Sequence, residues 1–403
     1  MGKISWVCRG GPLAVFAEGY AAELARLGFT ANSVVTHLSV MGQLSRWMTE
    51  VNFAVEELSV DRVEQFFEAR RLGGQRRVPT TRMLAPLLCY LTRCGALPLP
   101  PIEPASPLDA LLERYVHHLV TSRGLAKLTI LCYERMARQF LSERVLLSGD
   151  ALGVVGLCGG DVARFLLKEC SYLSVGSAKN RVNYMRSLLR FLRFEGLIAV
   201  DLATAIPSVV GWRDTALPSA LAIPDISALI SSCDRSQPIG LRDYAILMLL
   251  ARLGLRSCEV SRMELDDINW RTGELRLRGK GSSKQHLPLP TDVGEALAIY
   301  LRDGRPQAEF RHVFLTRIAP LRSMSPCSIG GVVHRACERT GQDLVGPHRL
   351  RHALAAGMLR KGATLPQIGQ VLRNRDLATT AVYAKVDLDA LRSVAQPWPG
   401  VGR

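Results

Sequence analysis

Two segments far apart in the chain are rich in side chains that bind phosphate. They read Leu253-Gly254-Leu255-Arg256-Ser257-Cys258-Glu259-Val260 and His348-Arg349-Leu350-Arg351-His352-Ala353. A guanidinium group presents paired N–H donors that match two phosphate oxygens, and fixed cations stabilise the negative charge that builds on a reacting phosphorus. Arg256 and Arg351 are therefore candidates for a phosphate clamp, although either arginine alone would be interpreted as an ordinary salt-bridge partner.

A tyrosine near the end of the chain completes a set of motifs. Tyr383 lies in Thr379-Thr380-Ala381-Val382-Tyr383-Ala384-Lys385. Together with the two arginine segments, it resembles the motif set of the tyrosine recombinases, the phage integrase family. The resemblance covers the C-terminal part of the chain fully and the middle part more loosely, whereas the N-terminal part has no counterpart in the smallest members. The combination is specific, because a lone tyrosine in an apolar helix most often packs in a core.

The resemblance implies an enzyme that cleaves and rejoins DNA strands at specific sites. Arg256 and Arg351 would clamp the nonbridging oxygens of the scissile phosphate. Tyr383 would attack the phosphorus and form a 3′-phosphotyrosyl link, which keeps the energy of the broken bond so that no ATP is needed. Lys280, flanked by two glycines, would protonate the departing 5′ oxygen, and His348 would accept a proton or bind the phosphate.

Further residues match supporting positions. Glu259 would hold the motif arginine and histidine in place, and His352 would brace the packing beside the second arginine. Lys284 is the rival candidate for the lysine general acid, and we expect it to contact a backbone phosphate instead. The resemblance implies no metal, because arginines neutralise the phosphate charge and the sequence has no carboxylate cluster of the kind that two-metal nucleases use.

One position departs from the family pattern. Members usually carry histidine or tryptophan nine residues before the tyrosine, within a Leu-Gly-His pattern, whereas this chain reads Leu372-Arg373-Asn374-Arg375-Asp376. Asn374 can donate a hydrogen bond to phosphate, but it lacks the charge of an imidazolium. We hypothesise that cleavage is slow, with Arg373 or Arg375 as compensating cations.

Two other functions would use the same residues. A catalytically weak paralogue would serve as a DNA-binding or architectural subunit beside an active recombinase, and Asn374 is the residue that favours this alternative. A type IB topoisomerase would use the same chemistry to relax DNA without exchanging partners; site-specific binding and synapsis would distinguish a recombinase from it. Among recombinases, the resemblance favours an integrase of a mobile element over chromosome-dimer resolution.

The composition indicates a folded protein that binds a polyanion. Hydrophobic residues make up 48% of the 403 residues and charged residues 22%, which argues against wholesale disorder. Lysine and arginine number 51 against 36 acidic residues, and residues 213–403 carry +9 of the net charge of +15. This excess predicts a nucleic acid as partner. The resemblance makes that partner double-stranded DNA, bound by a homo-tetramer on two synapsed duplexes or by this chain together with related recombinases.

The sequence also bears on the compartment. Met1–Gly19 lacks the pattern of a secretory signal, and the apolar runs are shorter than the ~20 residues that span a bilayer. The ten cysteines include no Cys-x-x-Cys pair and no zinc-ligand spacing with histidine, so we expect reduced thiols and no metal site. These features predict a cytoplasmic, nucleoid-associated protein.

Proline and glycine clusters divide the chain into three predicted domains. They are an N-terminal helical domain (1–100), a core-binding helical domain (107–208) and a catalytic domain (221–403). The predicted fold class is mainly α with a small antiparallel β-sheet, and the resemblance implies SAM-like helical DNA-binding domains followed by an α+β catalytic domain. The first domain looks like a distant copy of the second, since the motif at 91–97 matches the motif at 192–198.

Hydrophobic periodicity predicts the elements that position these residues. Apolar spacing predicts a helix over 177–192 whose other face presents Lys179, Arg186 and Arg190 to DNA phosphates, or else forms an ordinary solvated basic face. The catalytic domain is predicted to contain a helix at 241–253, strands at 267–268, 274–278 and 285–289, and helices at 291–302, 326–340, 348–361, 364–373 and 377–384. A last amphipathic pattern at 386–394 is expected to pack on a neighbouring protomer or on its own domain.

Overall fold

The computed structural model describes residues 10–73, 80–97, 106–210, 221–278, 284–374 and 380. Within these ranges, most residues are helical and the strands form one three-stranded antiparallel sheet. The predicted fold class, mainly α with a small antiparallel sheet, is thereby confirmed. None of the described helices combines the length and apolar character needed to cross a membrane.

The N-terminal residues form a helical body with its own hydrophobic core. Its helices are α1 (Ala17–Arg26), α2 (Ala31–Val51), α3 (Val60–Leu72) and α4 (Ala85–Arg93). Helices α2 and α3 begin where the hydroxyl groups of Thr30 and Ser59 accept hydrogen bonds from backbone N–H groups of the first turn. Their apolar faces bury a core that includes Tyr20, Met41 and Phe66.

A second helical body follows, again with a core of its own. Its helices are α5 (Pro107–Thr121), α6 (Lys127–Ser148), α7 (Gly159–Cys170) and α8 (Val175–Phe194). Tyr115 and Phe140 are fully buried in this core, and the Tyr115 hydroxyl donates to Ser187 Oγ at 3.1 Å. The predicted helix over 177–192 lies within α8.

The third body combines helices with the sheet. Its elements are α9 (Ile223–Ser231), α10 (Pro238–Arg252), α11 (Ser257–Ser261), β1 (Ile268–Asn269), β2 (Glu274–Arg278), β3 (Lys284–Pro288), α12 (Thr291–Ile299), α13 (Pro326–Thr340), α14 (Pro347–Arg360) and α15 (Leu365–Leu372). Helix α10 is buried along most of its length and forms the centre of the core. The last two helices, α14 and α15, pack on each other through Ala355, Ile368 and Leu372.

The sheet follows the predicted order. Strand β1 pairs with β2 and β2 with β3, both antiparallel, in a register that places Ile268 opposite Leu275 and Arg278 opposite Lys284. The predicted helix over 291–302 instead divides into α12 and a π-helical turn at Tyr300–Gly304. The predicted helices at 377–384 and 386–394 lie outside the described residues, apart from Thr380.

Tertiary contacts divide the chain into two compact units. One unit joins Met1–Leu99 with Ala216–Arg403, and the other is Pro100–Thr215. In the first unit, the N–H of Leu321 donates to the Leu27 carbonyl at 2.8 Å. Gly28 has a φ of +82°, and a Cβ at this position would lie 2.4 Å from Leu321 Cδ1, so the contact requires glycine. The three-domain boundaries and the duplication of the first two domains stay predictions.

Candidate active site

Arg351 connects three parts of the third body. It lies on α14, is almost fully buried, and donates through Nη1 to the carbonyl of Gly254 and through Nη2 to that of Leu372. Gly254 has a φ of +58°, and a Cβ there would lie 2.9 Å from Leu372 Cδ2. The glycine therefore allows the loop before α11 to approach the end of α15, with the arginine binding both.

Arg256 is held at the start of α11 by a carboxylate one turn later. Its backbone N–H donates to Glu259 Oε2 at 2.9 Å, and its Nη1 donates to Glu259 Oε1 at 2.9 Å. The acidic residue in the first helical turn thus binds both the helix terminus and the guanidinium. The second terminal nitrogen of the Arg256 guanidinium, Nη2, can donate to a further acceptor.

That acceptor is shared with Arg351. The side-chain carbonyl oxygen of Asn374 accepts from Arg256 Nη2 at 3.3 Å and from Arg351 Nη2 at 2.9 Å. Asn374 Nδ2 donates to the hydroxyl of the buried Thr380 at 3.1 Å. Since guanidinium groups can only donate, the amide must present its oxygen to them. Two arginines that converge on one oxygen form a site suited to a phosphate oxygen.

Arg373 adds a third guanidinium to the cluster. It ends α15 with a φ of +58°, its side chain is buried, and its Nη2 donates to Glu259 Oε2 at 3.0 Å. Burial alone would raise the pKa of Glu259, but the backbone N–H of Arg256 and the charges of Arg373 and Arg256 together lower it. The carboxylate is therefore ionised at neutral pH.

Two histidines lie one turn apart on α14. Burial lowers the pKa of His348 from its ordinary 6.5, the charges of Arg351 and Arg256 lower it further, and Glu259 opposes them. Burial likewise lowers the pKa of His352, with His348 as the next cause. Both imidazoles are therefore neutral at pH 7, the state in which a ring nitrogen can accept a proton.

The structure thus brings together five of the residues predicted from sequence. They are Arg256, Glu259, His348, Arg351 and Asn374. His352 lies beside this group on α14. Lys280 and Tyr383 lie outside the described residues, as does the side chain of Lys284, so their roles stay predictions.

The predicted DNA-binding residues of the second body are on α8. Arg190 is exposed and Lys179 is half-buried. Arg186 donates through Nη2 to the Ile206 carbonyl at 2.8 Å and lies 3.4 Å from Ser208 Oγ, so part of its guanidinium binds the chain that follows the bundle. Their contacts with DNA stay predictions.

Sequence reasoning missed three features of the site. Gly254 and Thr380 were quoted within motifs without a role, and Arg373 was named only as a compensating cation. A glycine two residues before the motif arginine is a signal that could have indicated a close backbone approach. The contact between Arg373 and Glu259 joins residues far apart in sequence, and no local signal predicts it.

The chain matches the phage integrase family over residues 221–389. It is 39% identical over 396 residues to y4rA of Sinorhizobium fredii (strain NBRC 101917 / NGR234), which carries an integrase/recombinase name, and the match covers 97% of this chain and 95% of that protein. It is 32% identical over 310 residues to the tyrosine recombinase XerD of Mycobacterium tuberculosis (strain ATCC 25618 / H37Rv), covering 72% of this chain and 96% of that protein.

Solved structures share the fold at lower identity. The XerH site-specific recombinase, bound to a palindromic difH substrate in a post-cleavage complex, matches with a TM-score of 0.54 and 18% identity, covering 72% of this chain and 96% of that one. A lambda integrase tetramer bound to a Holliday junction matches with a TM-score of 0.52 and 17% identity, covering 81% of this chain and 90% of that one. At this identity the likeness shows the fold.

Proposed function

This chain belongs to the phage integrase family of tyrosine recombinases, which are site-specific recombinase enzymes, and on that premise we propose that it cleaves and rejoins double-stranded DNA through a 3′-phosphotyrosyl intermediate on Tyr383. The observation that carries the proposal is the convergence of Arg256 and Arg351 on one oxygen of Asn374, at 3.3 and 2.9 Å. A nonbridging phosphate oxygen in that position would accept from both guanidinium groups.

In the proposed reaction, the Tyr383 oxygen bonds to phosphorus as the bond from phosphorus to the 5′ oxygen breaks. His348, neutral at pH 7, takes the phenol proton, and Lys280 gives a proton to the 5′ oxygen. The two arginines stabilise the charge on the pentacoordinate phosphorus, so the step needs no metal. Rejoining is the reverse attack by a 5′ hydroxyl, driven by the phosphotyrosyl bond without ATP.

The proposal includes how DNA is bound. We assign DNA binding to the helical domains 1–100 and 107–208 and catalysis to 221–403, with a homo-tetramer or related recombinases on synapsed DNA in the nucleoid. Arg190 and Lys179 of α8, and Lys284 of β3, would contact phosphates. Arg190→Gln should reduce the slope of log affinity against log salt by about one, the change expected for one lost phosphate contact. An unchanged slope would show that Arg190 does not contact a DNA phosphate.

Covalent trapping tests the function directly. The full chain is incubated with nicked duplexes from the flanks of its own gene, in which a cleaved strand cannot be rejoined, and covalent protein–DNA complexes are separated on denaturing gels. A complex formed by the wild type and absent with Tyr383→Phe is the expected result. DNA binding with no covalent complex, even when neighbouring recombinases are added, would overturn the proposal.

A DNA-binding or architectural paralogue is the second candidate, and Asn374 is the observation that favours it. Its carbonyl oxygen occupies the point where the two arginines converge, so a phosphate must displace it before both arginines can bind. Asn374→His tests this candidate in the same assay. Faster cleavage by the variant would identify Asn374 as rate-limiting in an active enzyme, whereas no covalent complex from either protein would favour the architectural role.

A further inference from the structure

Glu259 divides its two oxygens between two arginines. Oε1 accepts from Arg256 Nη1 at 2.9 Å, and Oε2 accepts both from the Arg256 backbone N–H at 2.9 Å and from Arg373 Nη2 at 3.0 Å. A carboxylate is planar and turns as a unit about its last bond. A donor that fixes Oε2 therefore also fixes Oε1, and through it the direction of the Arg256 guanidinium.

The backbone conformation and the burial of Arg373 are both energetically unfavourable. Its φ of +58° is in the left-handed region that favours glycine. Its side chain is only 5% exposed, so its guanidinium has lost most of its hydration. Such strained residues persist where the surrounding structure holds them in place, and they cluster at functional sites. The partners of Arg373 are Glu259 and the carbonyl of Val371, at 3.1 Å from Nη1, and Glu259 is the one that leads to the site.

The contact between Arg373 and Glu259 changes the net charge around Arg256. Glu259 is one negative charge between Arg256 and Arg373. If Arg256 were its sole cationic partner, the carboxylate would neutralise the arginine that faces the phosphate site. Because Arg373 shares the carboxylate, the cluster keeps a net positive charge, and the Nη2 of Arg256 stays directed toward Asn374.

We propose that Arg373 is a positioning residue that acts through Glu259 to hold the Arg256 guanidinium in the orientation that binds the scissile phosphate. The inference rests on the proposed function, since it concerns the same site. It gives Arg373, which the sequence offered only as a compensating cation, a defined partner and effect.

The first test needs no DNA. Full-length protein is treated with phenylglyoxal, which modifies accessible arginines, and the rate at Arg256 is measured by peptide mass spectrometry. Two variants separate the explanations: Arg373→Gly relieves the left-handed backbone, and Arg373→Met keeps an apolar side chain but removes the charge. If Arg373 positions Arg256, both variants raise its modification rate several-fold. Arg335→Gln removes an arginine from another carboxylate of this body and should leave the rate unchanged.

The second test measures cleavage. Both Arg373 variants should slow covalent-complex formation on the nicked duplexes by about 10-fold to 100-fold, because a misdirected clamp loses transition-state contact, while DNA affinity stays near that of the wild type. Arg373→Lys, which keeps a cation, should recover part of the rate. In a Glu259→Gln background, Arg373→Met should add little further loss, since the group that transmits its effect is already neutral.

The outcomes separate this inference from the proposed function. Wild type without a Tyr383-dependent complex would overturn the function, and the phenylglyoxal rates would then decide the positioning role alone. Unchanged Arg256 modification in both variants would overturn the inference, as would losses of cleavage that add fully to those of Glu259→Gln. An effect in Arg373→Gly or in Arg373→Met but not in both would assign it to the backbone or to packing, and would also overturn it.

Discussion

Among its described residues, the third body contains three carboxylates that are largely buried and bind two arginines each, Asp243, Glu259 and Asp267, and the clusters around the first two differ informatively. In the first, which we call the Asp243 cluster, Asp243 accepts from Arg242 at 2.8 Å and from Arg335 at 3.3 Å. In the Glu259 cluster, the partners are Arg256 at 2.9 Å and Arg373 at 3.0 Å. Each cluster combines one carboxylate with two guanidinium groups, so the kinds of charge do not distinguish the clusters.

The clusters differ in which arginine faces solvent and how firmly it is held. The exposed arginine of the Asp243 cluster is Arg335, 47% exposed, which makes one bond to the carboxylate. The corresponding residue of the Glu259 cluster is Arg256, 34% exposed, which is bound to the carboxylate at both its side chain and its backbone. A cation that is accessible and fixed beside a second cation can bind an anion, whereas an accessible but loosely held one forms a surface ion pair.

The largest expected effect is on catalysis by the Glu259 cluster. Arg256→Gln should slow covalent-complex formation by about 10³-fold or more, the scale of losing an arginine that stabilises a transferring phosphoryl group. Stability should change little, because this arginine is partly exposed. Single-turnover kinetics on nicked duplexes and urea denaturation would give the two quantities. If lost stability accounted for the slower cleavage, the Glu259 cluster would have the same structural role as the Asp243 cluster.

The next largest effect is on stability, and we expect it from a substitution in the Asp243 cluster. Asp243→Asn leaves the buried guanidinium of Arg242 without its counter-charge and should lower the free energy of unfolding by about 3 kcal/mol. The fraction that remains folded should cleave DNA at the wild-type rate. Urea denaturation checks the first statement, and the cleavage rate corrected for folded protein checks the second. A slower corrected rate would mean that this cluster also serves the site.

A smaller effect is expected from pH. The pKa of His348 is lowered in the folded protein by burial and by Arg351 and Arg256, so the unfolded chain binds a proton more readily. Stability should therefore fall as pH drops below the ordinary histidine value of 6.5, and it should be restored above that value. The pKa of Glu259 is also lowered, so its contribution is present above 4.5 and is lost only as pH falls through the lowered value.

Urea midpoints measured from pH 7.5 down to pH 5.5 would test the predicted loss of stability below pH 6.5. His348→Gln should flatten the fall in part, leaving the contribution of His352, whose pKa is lowered too. An equally steep fall in the variant would show that His348 does not carry the proton linkage. Glu259→Gln should not flatten the fall: the carboxylate itself is ionised throughout this window, and its charge raises the pKa of His348, so its loss can only lower that pKa further.

The smallest effect is expected at Arg335. Because its side chain is largely exposed, Arg335→Gln should lower the free energy of unfolding by less than about 1 kcal/mol and leave cleavage unchanged. The substitution leaves Arg242 paired with the carboxylate. A urea midpoint together with the trapping assay would measure both. A loss as large as that of Asp243→Asn would show that the outer arginine of this cluster is not a surface partner.

Several parts of the fold could be predicted because their signals are local. The alternation of apolar and charged residues in 274–278 indicated a strand, and the structure has β2 there. Apolar spacing over 326–340 indicated the helix that became α13. The π-helical turn at Tyr300–Gly304 was not predicted, since it continues the same apolar spacing as α12.

For the site, sequence predicted the participants but not their arrangement. Arg256 and Arg351 were recognised by type and motif, and their common acceptor, the Asn374 oxygen, became visible only in three dimensions. The sequence led to the hypothesis that Asn374 slows cleavage because it lacks the charge of an imidazolium. The structure adds that its carbonyl oxygen occupies the point to which both arginines donate.

The sequence by itself determined the family, the mainly helical class, and the arginines proposed to clamp a phosphate, because these follow from residue types, their spacing and their periodicity. Tertiary structure decided that Arg256 of the Glu259 cluster, and neither arginine of the similar Asp243 cluster, converges with Arg351 on the Asn374 oxygen. Arg373 reaches Glu259 only because α15 ends in a left-handed turn beside α11, which places residues 114 positions apart within 3.0 Å. Such a contact depends on how helices pack, and a one-dimensional pattern does not contain it.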